Sequence, residues 1–107
     1  MQFIDKLSAA QQVSDSWVCV GLDPVLERLP DSVLTPDNHP FYIFARAIIQ
    51  ATAGVVSAYK PNLAFWLAAG PEGMRALQQT IAAVPEHIPV ILDAKFNEVG
   101  HTATAYA

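Results

Sequence analysis

The stretch PVILDAK, residues 89–95, opens on a proline, runs through Val90, Ile91 and Leu92, and ends on Asp93 and Lys95 with Ala94 between them. A short apolar run of this kind, bounded by a turn residue, reads as a strand buried on both faces. Side chains alternate along a strand, so Asp93 and Lys95 project to one side and Ala94 to the other. Upstream, WVCVGLDP (17–24) is a second apolar run that ends in a charge, Asp23, and a proline. VVSAYKPN (55–62) is a third, closing on Lys60 and Pro61. Three short apolar strands, each ending in a charge, set the frame for the rest of the chain.

The segments between them carry helical spacing. Phe3, Ile4, Leu7 and Ala10 predict a short amphipathic helix that stops before the polar SDS at 14–16. Prolines at 24, 30, 36 and 40 forbid a long helix and predict an ordered loop. From Phe41, the residues Phe44, Ala45, Ile48, Ile49 and Thr52 fall on one helical face, with Asn38 available as a cap and Gly54 as a stop. LAFWLAAGPEGMRALQQTIAAVP (63–85) predicts a short helical piece, a Gly-Pro break and a longer helix with Met74, Leu77, Ile81 and Val84 on one face. Strands buried on both sides and alternating with helices are the mark of parallel βαβ units, hence of an α/β fold. Cys19 and the aromatics Trp17, Phe65 and Trp66 are read as core residues.

The chain has 107 residues, enough for one domain or part of one. Its formal net charge is −4 and its six Lys and Arg are scattered, which argues against a nucleic-acid partner. A single cysteine excludes an internal disulfide and a cysteine-based metal cluster. The N-terminus lacks the apolar core of a signal peptide and no run approaches membrane-spanning length, so the expectation is a soluble cytoplasmic protein with no membrane association. His39 and His87 lie in proline-flanked turns and are read as capping or exposed residues; His101, in a polar loop, is read as solvated.

In parallel α/β proteins the C-terminal ends of neighbouring strands share one edge of the sheet, so Asp23, Lys60, Asp93 and Lys95 are expected to converge. Alternating ammonium and carboxylate groups keep one another ionised in a partly dry pocket. Ion pairs that merely close the end of a sheet explain any one of them. Charges at three successive strand ends favour a functional site.

Taken together, CVGLDP (19–24), AYKPNLAFW (58–66), GPEG (70–73) and HIPVILDAK (87–95) resemble, in order and spacing, the N-terminal part of the orotidine 5'-phosphate decarboxylase family. The resemblance implies a (β/α)8 TIM barrel, of which residues 1–107 form the N-terminal portion, about three βα units of a single domain. It implies decarboxylation of orotidine 5'-phosphate to uridine 5'-phosphate in pyrimidine biosynthesis, with neither metal nor organic cofactor, in a homodimer whose sites lie at the subunit interface. Lys95 is then the proton donor to the carbon that loses carbon dioxide, and Asp93 sits against the departing carboxylate and keeps Lys95 charged. Lys60 bridges that carboxylate and the ribose, Asp23 binds the sugar hydroxyls, and Asn62 orients Lys60. Glu98 and Thr102 match positions that reach into the partner's site.

The chain departs from the family's D-x-K-x-x-D signature at Glu98, one methylene longer than aspartate, and carries Phe96 where an arginine is usual. The strands that supply the family's phosphate site come later in its barrel. The expectation is a truncated portion of a longer protein, with open strand edges that call for the missing barrel half or a second copy. Three alternatives stay open: a noncatalytic half-barrel that uses its edge for interaction, a metal-dependent sugar-phosphate decarboxylase or aldolase of the same superfamily, and a Rossmann domain. The last is disfavoured because GLDPVLERLP lacks a glycine-rich phosphate loop.

Overall fold

In the computed structural model, which describes residues 2–94, helices and strands alternate in the order expected of βα units. Helix α1 spans Phe3–Ser14, strand β1 Cys19–Leu22, helix α2 Pro40–Thr52, strand β2 Ala58–Pro61, helix α3 Leu63–Ala68 and helix α4 Gly70–Ala83. The proline-rich excursion between β1 and α2 is an ordered loop with two single 3₁₀ turns, Leu26–Arg28 and Asp31–Val33. None of the described helices is long and apolar enough to cross a membrane.

β1 and β2 pair in parallel with Cys19 opposite Ala58 and Leu22 opposite Pro61. Residues 89–93 run parallel on the other side of β2. Tyr59 N–H donates to Pro89 O (3.1 Å), Ile91 N–H to Tyr59 O (2.8 Å) and Asp93 N–H to Pro61 O (3.0 Å). The bond that a continuous parallel ladder would take from residue 61 is missing because proline has no N–H, so pairing is confined to bridges at Tyr59–Val90 and Asn62–Asp93. The third strand of the sequence reading is therefore present as a paired segment with a proline gap.

The core lies between this sheet and α2, α3 and α4. Leu22, Phe41, Ala45, Ile49, Val56, Tyr59, Trp66, Ala76 and Leu77 form one buried cluster. The Tyr59 hydroxyl, buried within it, meets Thr52 Oγ1 (2.8 Å) and donates to Ile49 O (3.2 Å), which keeps its polar tip satisfied. α2 buries Phe41, Ala45 and Ile49, three of the positions its spacing selects.

Several local expectations change. The cap of α2 is His39, whose Nδ1 accepts from Phe41 N–H (3.1 Å), rather than Asn38, because Pro40 occupies the first turn and leaves the residue before it at the capping position. α4 buries Gly73, Ala76, Leu77 and Thr80, while Ile81 remains 39% exposed. Leu77 and Val84 of the expected face are in the core and Met74 packs against it; the buried face is widened to the small residues because α4 packs on both α2 and α3, and they admit the closer approach. A methyl group on Gly73 would overlap the Trp66 carbonyl oxygen. Trp66 and Phe65 are buried as expected, whereas Trp17 is 87% exposed and Cys19 is exposed. In β1 only the Val20 and Leu22 side turns toward the helices, and Cys19 and Gly21 lie on the other side.

Gly73→Ala is expected to destabilise the protein by about 1–3 kcal/mol in urea unfolding, the usual cost of overpacking; an unchanged midpoint would show that α3 and α4 have room to separate. His39 has its pKa held below the ordinary imidazole range by burial, against an opposing pull from Glu72. A depressed histidine favours its neutral form in the fold, so its contribution is present above the ordinary imidazole pKa and lost as pH falls. Stability should fall from about pH 7 to about pH 5 more steeply in the wild type than in His39→Asn, which caps without titrating. Equal pH slopes for the two proteins would remove the cap from the account.

Candidate active site

Each of the three strands delivers a charged residue to the same edge. Asp23 follows β1 directly, Lys60 is the third residue of β2, and Asp93 pairs with Asn62 at the end of the segment 89–93. Along β2 the alternation is clear: Tyr59 and Pro61 are buried, and Lys60 between them is exposed on the side away from the helices. Lys60 Nζ lies 3.9 Å from Asp93 Oδ2, with the two side chains 46% and 21% exposed. That separation is a charge interaction at the edge of contact.

Asp23 is tied to β2 through the backbone, its Oδ1 accepting from Asn62 N–H at 3.2 Å. Burial pushes its carboxyl pKa up; the Asn62 N–H and the positive charge of Lys60 pull it down, and the negative charge of Asp93 adds to the rise. Asp23 therefore senses both other charges, and the three residues form one electrostatic unit with the ammonium among two carboxylates. Such a unit can bind a polar ligand by offering both an acceptor and a cation from a rigid sheet edge.

Asn62 has a different local task from the one expected of it. Its side-chain oxygen accepts from Ala64 N–H (3.2 Å) and caps α3, and only its backbone reaches the charged cluster. α3 is bound to all three strand ends. Leu63 N–H donates to Asp93 O (2.8 Å), and the Trp66 indole N–H donates to Leu22 O (3.0 Å). The spacing of the sequence marks Trp66 only as a core aromatic; no pattern signals that its polar atom reaches the end of β1. Lys95, Glu98 and Thr102, like Phe96 and His101, lie outside the described residues.

A cavity of about 460 Å³ beside Pro24 is lined by Val25, Leu26, His39, Phe41 and Phe65, and none of Asp23, Lys60 and Asp93 lines it. The charged edge is the better candidate, since it holds the polar groups that chemistry requires. Among the described residues no group of three or more His, Cys, Asp or Glu is arranged to hold a metal ion.

No protein-family model matches the chain. Among curated proteins it is 51% identical over 105 residues to an orotidine 5'-phosphate decarboxylase of Herpetosiphon aurantiacus, covering 98% of this chain and 39% of that protein. It is 49% identical over 108 residues to the one from Haloarcula marismortui, covering all of this chain and 38% of that protein. Among solved structures, Leishmania donovani OMP decarboxylase matches with a TM-score of 0.70 and 38% identity, covering all of this chain and 38% of that one. The chain thus spans about two fifths of the length of the curated relatives it matches. It corresponds to the N-terminal part of the TIM barrel of the orotidine 5'-phosphate decarboxylase family.

Proposed function

We propose that the chain supplies the charged half of an active site that decarboxylates orotidine 5'-phosphate to uridine 5'-phosphate, and that it does so when the barrel is complete. The observation that carries this reading is the meeting of Asp23, Lys60 and Asp93 at the ends of three parallel strands, with Lys60 Nζ 3.9 Å from Asp93 Oδ2. The names of the relatives support the choice of substrate.

In this reading the bond between the pyrimidine ring carbon and its carboxylate breaks, the electron pair stays on the ring carbon, and carbon dioxide departs. The Lys95 ammonium stabilises the developing carbanion and then gives it a proton. Asp93 faces the departing carboxylate and keeps Lys95 charged, while Lys60 bridges carboxylate and ribose. Asp23 accepts from the sugar hydroxyls, and Asn62 N–H steadies it. The Asp23 carboxylate is the expensive part of the design, since it is partly withdrawn from water beside another negative charge. No metal or organic cofactor takes part. Glu98 and Thr102 serve the site of a second copy in a homodimer, and the phosphate group is held by the later strands of the barrel. A place in pyrimidine biosynthesis and a cytoplasmic location belong to the same reading.

The test is to follow the absorbance of orotidine 5'-phosphate with the chain alone and with a complementary C-terminal barrel portion. Turnover that survives chelation supports the proposal; dependence on a divalent metal would point to a sugar-phosphate enzyme, and no turnover with no ligand-induced stabilisation would leave a noncatalytic module. In the active assembly Lys60→Ala should lower kcat/KM by about 10²–10³, the scale of losing a charged contact to the reacting group.

A second variant separates function from stability. Asp23 has its pKa raised by burial, so the fold favours its protonated form and the ionised form weighs against folding as pH rises through the folded pKa. Asp23→Asn keeps an acceptor for Asn62 N–H without the charge. It should melt about a degree or more higher than wild type near pH 7, lose that advantage in acid, and bind substrate more weakly. A lower melting temperature at neutral pH would mean that the favourable charge of Lys60 outweighs burial at this carboxylate.

A further inference from the structure

The sheet edge is joined by α3, a helix of six residues that follows β2 after the single residue Asn62 and bonds to the ends of both neighbouring strands. Its first residue, Leu63, donates to Asp93 O (2.8 Å), and the residue before it, Asn62, donates through its backbone to Asp23 Oδ1 (3.2 Å). Its fourth residue, Trp66, is fully buried and sends its indole N–H to Leu22 O (3.0 Å), the carbonyl of the last residue of β1 and the one just before Asp23. Phe41 packs edge-on against the Trp66 ring at 5.7 Å between centroids, which fixes the ring from the α2 side.

We propose that Trp66 is a positioning residue for Asp23: its buried N–H holds the carbonyl end of β1 and so sets where the Asp23 carboxylate stands relative to Lys60 and Asp93. A phenylalanine would fill most of the same space, so the indole nitrogen is the distinguishing feature. Leu22 itself is 1% exposed, so its carbonyl, without the indole, would be a buried acceptor with no replacement from solvent, and the strand end would shift to find one. A displacement of about half an ångström is enough to spoil a binding constellation. Asp23 is the group next in line to move.

The inference rests on the proposed role of Asp23 in binding the sugar, and two readouts keep the two claims apart. The first is the carboxyl titration of Asp23 followed by carbon NMR in the 107-residue chain, comparing wild type, Trp66→Phe and Leu77→Ala. Leu77→Ala truncates a buried side chain of the same core that makes no hydrogen bond to a strand end, and controls for general destabilisation. Trp66→Phe should move the Asp23 titration down toward the ordinary carboxylate range, as the loosened strand end lets in water, and Leu77→Ala should leave it in place. Should Trp66→Phe fail to fold, Trp66→benzothienylalanine, which keeps the ring shape and replaces N–H by sulfur, takes its place. The second readout is turnover of orotidine 5'-phosphate in the completed assembly, where loss of the one hydrogen bond should raise KM about fivefold to tenfold with kcat changed much less. An Asp23 titration identical in wild type and the variant overturns the positioning role. Absent turnover in wild type counts against the proposed function alone, and the titration still decides the role of Trp66.

Discussion

Because β1, β2 and residues 89–93 run parallel, every residue that leaves a strand at its C-terminal end comes out on one edge of the sheet. This brings Asp23, Lys60 and Asp93 together from sequence positions 37 and 33 residues apart. The apolar side of the same strands pays no attention to the charges: Leu22 and Tyr59 are held in a core closed by α2, α3 and α4. Parallel strands need covering helices, and the helices here supply both the burial that fixes the strands and the polar atoms that fix their ends.

The electrostatics of the edge follow from that geometry. Asp23 suffers from its partial burial and from the negative charge of Asp93, and is helped by the positive charge of Lys60. Asp23 shows the balance, with burial outweighing the help of Lys60 and the Asn62 N–H. A carboxylate short of water costs stability, and in the proposed function the same carboxylate gains more from a hydroxyl donor. Under that proposal the site and the fold make opposing demands on Asp23.

Pro61 illustrates how a single residue shapes the junction. It removes one ladder bond between β2 and residues 89–93, and the chain compensates directly beyond it, where Asp93 bonds back to Pro61 O and Leu63 bonds on to Asp93 O. The turn from β2 into α3 is then locked by the Asn62 cap, so Lys60 emerges from a segment held on both sides.

The alternation of apolar strands and helices and the charge at each strand end were legible in the residues themselves, because strand and helix periods are local and a charge terminating an apolar run is visible without a fold; the family was legible only through the resemblance of CVGLDP, AYKPNLAFW, GPEG and HIPVILDAK. Which atoms meet was not. The cap of α2 fell to His39 rather than Asn38 once Pro40 set the first turn. The buried face of α4 kept Leu77 and widened to Gly73, Ala76 and Thr80 because two other helices press on it. Trp17 and Cys19 lie on sides that the described helices do not cover. The bond from Trp66 to Leu22 spans 44 positions of the chain. A sequence records what each side chain can do, whereas the choice of partner among distant candidates depends on packing, and packing is a property of the assembled chain.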